Sequence, residues 1–205
     1  MGRRKLYDRD EVLGRAMEVF WADGFHGTSA RRLSDEMGIS VASMYAEFGS
    51  KDDLYADAVR RYEEQMVTAF FGPLEAPDAT VQTVREVLRQ FPAMARQVDR
   101  PPGCLVTNAV VDRAPDAAFS EAVMARYVAR ISAGIERALT NSLSTTAGPM
   151  VQTRALAHHL VAVLIGLFVL ARARTDHGML DDVVAAAIAE LDASTAEHGL
   201  DEPRT

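Results

Sequence analysis

The 205-residue chain has one cysteine, Cys104, in the segment Arg100-Pro101-Pro102-Gly103-Cys104-Leu105-Val106-Thr107-Asn108. Pro-Pro-Gly reads as a stop, so the thiol is expected at a helix N-terminus, where the dipole and Arg100 favour negative charge on sulfur. Asn108, four residues on, shares its face. A lone thiol excludes an internal disulfide and a thiolate zinc cage and fits a reducing, cytoplasmic setting. Its open chemistry is that of a nucleophile: sulfenic acid, a mixed disulfide, an adduct, or an enzyme nucleophile with a histidine base. The plain alternative is a small buried cysteine lining the core or a cavity.

His158 and His159 are the other candidates for proton or ligand chemistry. Adjacent helical residues point about 100° apart, so at most one faces a given site. A pocket-facing histidine that hydrogen-bonds a ligand, or a satisfied core histidine, fits better than a metal ligand, and no metal or cofactor is expected. Phe70, Phe71, Met94, Tyr127 and Phe168 can line a cavity, although aromatic and methionine positions on helices usually belong to the core.

These residues must be held by helices, because the chain shows helical apolar periodicity and no useful strand alternation. Asp8 is placed to cap a first helix with Glu11 reaching back and Tyr7 and Val12 as a hydrophobic staple. Gly24 ends it. Thr28-Ser29 offers a cap for a short second helix, Ala30 to Met37, closed by Gly38; Ser40 caps a third, Val41 to Phe48. Ser50 with Asp53 forms a capping box for a fourth, running to about Phe71. Longer helices are expected at 79–98, 104–112, 116–144, 150–174 and 180–198. The expected fold is all-α, with residues 1–60 as one domain and 61–205 as a second.

The net charge of −7 argues at first against nucleic acid. Its distribution matters more: residues 1–62 carry net −1 and the rest net −6, and Arg3, Arg4, Lys5, Arg31, Arg32 and Lys51 can form a local basic face. Polar residues follow the basic start, so no export signal is expected. The apolar run Ala155–Ala171 falls short of the roughly 18 to 20 residues of a spanning helix, so no membrane partner is expected. So apolar a helix suggests burial against a partner subunit.

Leu33 to Tyr45 has helix-turn-helix logic. Gly38 permits the left-handed turn, and Leu33, Met37, Ile39 and Met44 lock two helices at a fixed angle. Val41, Ala42 and Ser43 are small enough to enter a major groove, where Val41 and Ala42 can meet thymine methyls, and Tyr45 reaches phosphate. Lys51, at a helix N-terminus, favours an anion.

Ala16, Phe20, Gly24-Phe25, Thr28-Ser29, Gly38-Ile39-Ser40, Tyr45, Phe48, Ser50-Lys51 and Leu54 together make residues 8 to 60 resemble the TetR family of one-component regulators. Ser34 and Met37 depart from it, standing where alanine is common. The resemblance implies a homodimeric repressor, released from a palindromic operator by a small ligand, with a C-terminal helical domain for ligand binding and dimerisation. It implies phosphate contacts from Thr28, Tyr45 and Lys51 and base-edge approach by Arg31 or Arg32 and Val41, Ala42 and Ser43. The Gly-Cys-Leu start resembles members in which a cysteine here senses electrophiles or oxidants, making Cys104, Asn108, Tyr127, His158 and Phe168 the candidate sensing or ligand-binding set. Some such sensors use a lysine partner in this domain, and this chain has lysine only at positions 5 and 51. The remaining alternatives are a cysteine-dependent enzyme and a helical interaction protein without DNA affinity.

Overall fold

The computed structural model describes residues 7–112, 117–142 and 150–196, and every described element is helical. Helices α1 (Arg9–Gly27), α2 (Ala30–Met37), α3 (Val41–Phe48) and α4 (Lys51–Tyr62) come first. The chain continues through a π turn (Glu63–Val67), α5 (Thr68–Phe71) and a 3₁₀ turn (Gly72–Glu75). Then follow α6 (Val81–Ala95), α7 (Leu105–Asp112), α8 (Ala117–Ser142), α9 (Met150–Arg172) and α10 (His177–Ala196). They form two compact units, Met1–Thr68 with Cys104–Val123, and Ala69–Gly103 with Met124–Thr205. The Arg3–Lys5 cluster, the Gly148-Pro149 break and the expected helix ends at 116, 144 and 198 lie outside the described residues.

Each of α1 to α4 begins on a side-chain cap. Asp8 accepts from the N–H groups of Asp10 (2.7 Å) and Glu11 (3.3 Å), Ser29 from Arg32 (3.1 Å) and Ser40 from Ser43 (3.1 Å). Each such cap contributes about 1 kcal/mol, which matters for helices of two turns. Ser50 and Asp53 form the expected reciprocal box. Hydrogen bonds from Ser50 hold the Asp53 carboxyl below the usual carboxylate range. The box expected at α1 does not close, because Glu11 turns to pair with Arg15 one turn on. Gly24 (φ 72, ψ 170) kinks α1, and the helical path resumes to Gly27.

The core of this unit is where α1 packs on α4 and α2. Phe20 and Phe25 both meet Tyr55, with ring centroids 4.9 and 5.0 Å away, and Trp21 meets Tyr62 at 4.9 Å. Helix α7, from a later part of the sequence, packs on α1 and α4.

In the second unit α10 packs on α6 and α9. Arg85–Asp192 (2.6 Å) and Arg96–Asp181 (2.5 Å) join α6 to α10. Phe91 and Phe168 rings lie 5.0 Å apart, with Phe70 and Phe71 beside them and Tyr127 against Phe71. Helix α10 begins three residues before the expected start, with the Asp176 carboxylate accepting from the Gly178 N–H at 3.1 Å in its first turn.

Candidate nucleic-acid interface

Gly38 closes α2 in the left-handed conformation (φ 69, ψ 26), where a side chain would be strained. Across this turn the Ile39 N–H donates to Ser34 O (3.2 Å), and the Ser34 hydroxyl donates back to Ile39 O (2.6 Å). Ser34, one of the two departures from the family pattern, thereby ties the turn instead of merely tolerating it. Leu33, Met37 and Met44 are fully buried between the helices, and truncating any of them to alanine costs about 2–5 kcal/mol. Ile39 is only half-buried.

With Met44 and Phe48 turned inward, α3 leaves Val41 (37% exposed), Ala42, Tyr45 (41%) and Ala46 on its open face. Ser43 is half-buried, and its hydroxyl meets that of Ser40 at 2.9 Å, so it is partly engaged by the cap. Ala46 extends the surface by one helical turn beyond Ala42 and was not among the residues singled out from sequence.

The far end of α3 is clamped by groups forty residues away. Tyr7 donates its phenol hydrogen to Glu47 at 3.2 Å, Arg9 pairs with Glu47 (3.4 Å) and Asp57 (2.8 Å), and its guanidinium lies 4.7 Å from the Phe48 ring centroid. Such long-range contacts carry no local spacing signal. They fix the pitch of α3 against α1 and α4.

The cations differ in how they are held. Arg31 has a 91% exposed side chain and a loose 4.0 Å contact with Asp35. Arg32 is shared by Asp23 (3.5 Å) and Glu36 (2.5 Å). Lys51 donates from Nζ to Phe25 O at 2.6 Å and sits 4.3 Å from the Phe25 ring centroid, directed at the last turn of α1. Thr28 is only 2% exposed, and its hydroxyl donates to Gly24 O at 2.6 Å. The kink at Gly24 creates that acceptor, so the Thr28 side chain serves the turn.

The residues expected to bind a ligand do not gather in one unit. Cys104 (1% exposed) and Asn108 belong to the first, with the Asn108 N–H donating to Cys104 O at 2.9 Å at the start of α7. Tyr127 and Phe168 belong to the buried aromatic cluster of the second. His158 and His159, also in the second, are exposed on α9, facing Glu136 (4.0 Å) and Glu190 (3.0 Å), and neither is a core histidine. Among the described residues no three His, Cys, Asp or Glu side chains gather to hold a metal.

Residues 12–58 match the model of the bacterial regulatory proteins, tetR family. The HTH-type transcriptional regulator YezE of Bacillus subtilis (strain 168) is 31% identical over 198 residues, 94% of this chain and all of that protein. The transcriptional repressor ComR of Escherichia coli (strain K12) is 30% identical over 118 residues, 56% of this chain and 55% of ComR. Among solved structures, a cysteine-substituted CifR bound to 26-bp operator DNA superposes with a TM-score of 0.76 at 31% identity, covering 92% of this chain and 98% of CifR. Each of these relatives is a transcriptional regulator, which removes the footing for an enzyme built on Cys104. The exposed recognition helix, its cap-and-clamp support and similarity along nearly the whole chain lead to one conclusion: this protein belongs to the TetR family of DNA-binding transcriptional regulators.

Proposed function

We propose that the protein is a repressor that grips a palindromic operator as a homodimer and lets go when a small ligand binds or Cys104 is modified. The observation that carries the DNA half is the open face of α3, Val41, Ala42, Tyr45 and Ala46, held rigid from below. Val41 and Ala42 approach thymine methyls, Arg31 and Arg32 flank the groove, and Tyr45 and Lys51 take phosphates. At Thr28 a phosphate contact falls to the backbone amides opening α2, because the hydroxyl is engaged. ComR, named a repressor, supports the sign of regulation.

Dimerisation through α9 and α10 is supported by their uncovered apolar surface. Thr153–Arg172 has mean hydropathy 1.9 with 39% of it buried, and by length and composition it is long enough to cross a membrane. It reaches beyond the Ala155–Ala171 run at both ends, so length alone does not decide between lipid and protein as its partner. Val169 (49% exposed) and Met179 (47%) are among the large exposed apolar residues, and a Cβ at Gly166 would meet nothing within 4 Å. A twin subunit covers such a face, as expected of a protein whose two recognition helices must sit about one DNA turn apart.

Val169→Glu tests this directly. In a single chain it stands in solvent, whereas in the dimer it buries two carboxylates, so the dimer dissociation constant should rise by about 100-fold or more. Light scattering should then find monomers, and operator binding should fall with them; an intact dimer would place the interface elsewhere. For the sensing half, Cys104→Ser should hold the operator through a mild oxidant or electrophile that releases the wild type. Equal release of the two proteins would remove Cys104 from the switch.

A further inference from the structure

The corner where α6 ends and α9 passes into α10 holds a cleft of about 510 Å³, within the size range of small-molecule sites. Its lining comes from 95–102 and 171–180, all in the second unit, and includes none of the residues expected from sequence to bind a ligand. Ala171 and Leu180 bring buried apolar surface to it. Arg96, Arg100 and Arg174 set three positive charges against one negative charge from Asp176, a net +2 with His177 neutral, in a chain of net charge −7. Asp176 is engaged at the start of α10, accepting from the Gly178 N–H at 3.1 Å. Arg96 is matched by Asp181 at 2.5 Å, and counting that carboxylate leaves a surplus of +1.

Arg174 is the cation that the backbone singles out. It follows α9 in the left-handed region (φ 54), and among the described residues every other positive φ belongs to a glycine: Gly24, Gly38, Gly49 and Gly103. The turn closes through backbone groups alone, with the Arg174 N–H donating to Ala171 O (3.1 Å) and the Thr175 N–H to Leu170 O (3.2 Å). Glycine is the ordinary residue at this position of such a helix ending, because a Cβ is strained there. A side chain kept against strain points to a use for it. The fold makes no such use. Arg85, Arg96 and Arg130 of the same unit each hold a carboxylate, whereas the Arg174 side chain is exposed and has no hydrogen-bond or ion-pair partner among the described residues.

We infer that this cleft binds a small organic monocarboxylate, with Arg174 fastening its charge. A guanidinium stays charged at any physiological pH, and its paired N–H donors match the two oxygens of a carboxylate. Arg96 and Arg100 add attraction from the segment after α6. The surplus of a single positive charge suits a monoanion better than a doubly charged phosphate ester. The apolar lining favours a hydrocarbon body, which an inorganic anion lacks, and the volume leaves room for one. For what binding does, this rests on the reading of the protein as a ligand-released repressor, and it names the chemical class of that ligand.

The test titrates the full-length protein, without DNA, by calorimetry, using 2-naphthoate and octanoate beside their uncharged amides, 2-naphthamide and octanamide. At least one carboxylate should bind, and its amide should bind about 10-fold more weakly or worse, since a charged hydrogen bond is lost. Arg174→Gly should lower carboxylate affinity by about 10-fold or more and leave the amides unaffected. The same variant should raise the melting temperature by about 2–4 °C, because the strain goes with the side chain. Arg174→Lys keeps the charge without the fork, so its affinity should fall between the two. Equal binding of carboxylate and amide, no binding of either carboxylate up to about 10 mM, or wild-type affinity in Arg174→Gly overturns the inference. Release is scored in a separate operator titration: protein saturated with the carboxylate that still holds DNA overturns the ligand-release reading and leaves the measurements on the cleft standing.

Discussion

Alanine at both Tyr45 and Lys51 should lower operator affinity by at least about 100-fold and flatten its dependence on salt. Lys51 brings an ammonium to the last turn of α1, and Tyr45 projects from the open face of α3. A hydrogen bond to a charged group contributes about 1.5–3 kcal/mol, and the proposed dimer would lose two lysine contacts at once, or about 3–6 kcal/mol. With about 0.9 of slope per neutralised phosphate, log affinity against log salt should become shallower by roughly 2. Lys51 also holds Phe25 O at 2.6 Å, so the variant's melting temperature must accompany the binding curve. Tyr45→Ala alone serves as a control for folding, because the tyrosine is 41% exposed. Unchanged affinity and slope would mean that the DNA meets another surface.

The second large effect is on stability. Gly103 has φ +81, and a Cβ there would lie 2.9 Å from Arg172 Cβ and 3.0 Å from Phe168 O. These are atoms at the root of a side chain and in the backbone of α9, which have little room to retreat. Left-handed strain of about 1–2 kcal/mol adds to that overlap, so Gly103→Ala should cost about 3 kcal/mol in all. For a chain of this size the melting temperature should fall by about 6–12 °C. A calorimetric melt unchanged from wild type would show that α9 yields at this point.

What the sequence made legible was local. Ser29, Ser40 and Ser50 announce helix starts, and Gly38 announces the turn, because caps and left-handed turns are set by residues within a few positions of each other. The same locality placed Cys104 just before the first turn of α7. Thr28 was less legible: its burial follows from the kink at Gly24, which brings a carbonyl to its hydroxyl. Glu11 could have closed a box at α1, but Arg15 one turn on offered a stronger partner. The Tyr7–Glu47 and Arg9–Asp57 ties span forty residues or more, and the packing of α7 on α1 and α4 spans still more. None leaves a periodic trace. His158 and His159 were hard to place because an apolar helix normally implies burial, and within one chain much of α9 is uncovered.

The central claim is that α3, presented twice by a symmetric dimer, reads DNA. The most direct measurement is selection of genomic fragments bound by the purified full-length protein, followed by sequencing. Enrichment of one palindromic site whose half-sites are about one turn of DNA apart, lost when Tyr45 and Lys51 are replaced by alanine, is the predicted result. Recovery of no enriched palindrome, or the same enrichment from the doubly substituted protein, would contradict it.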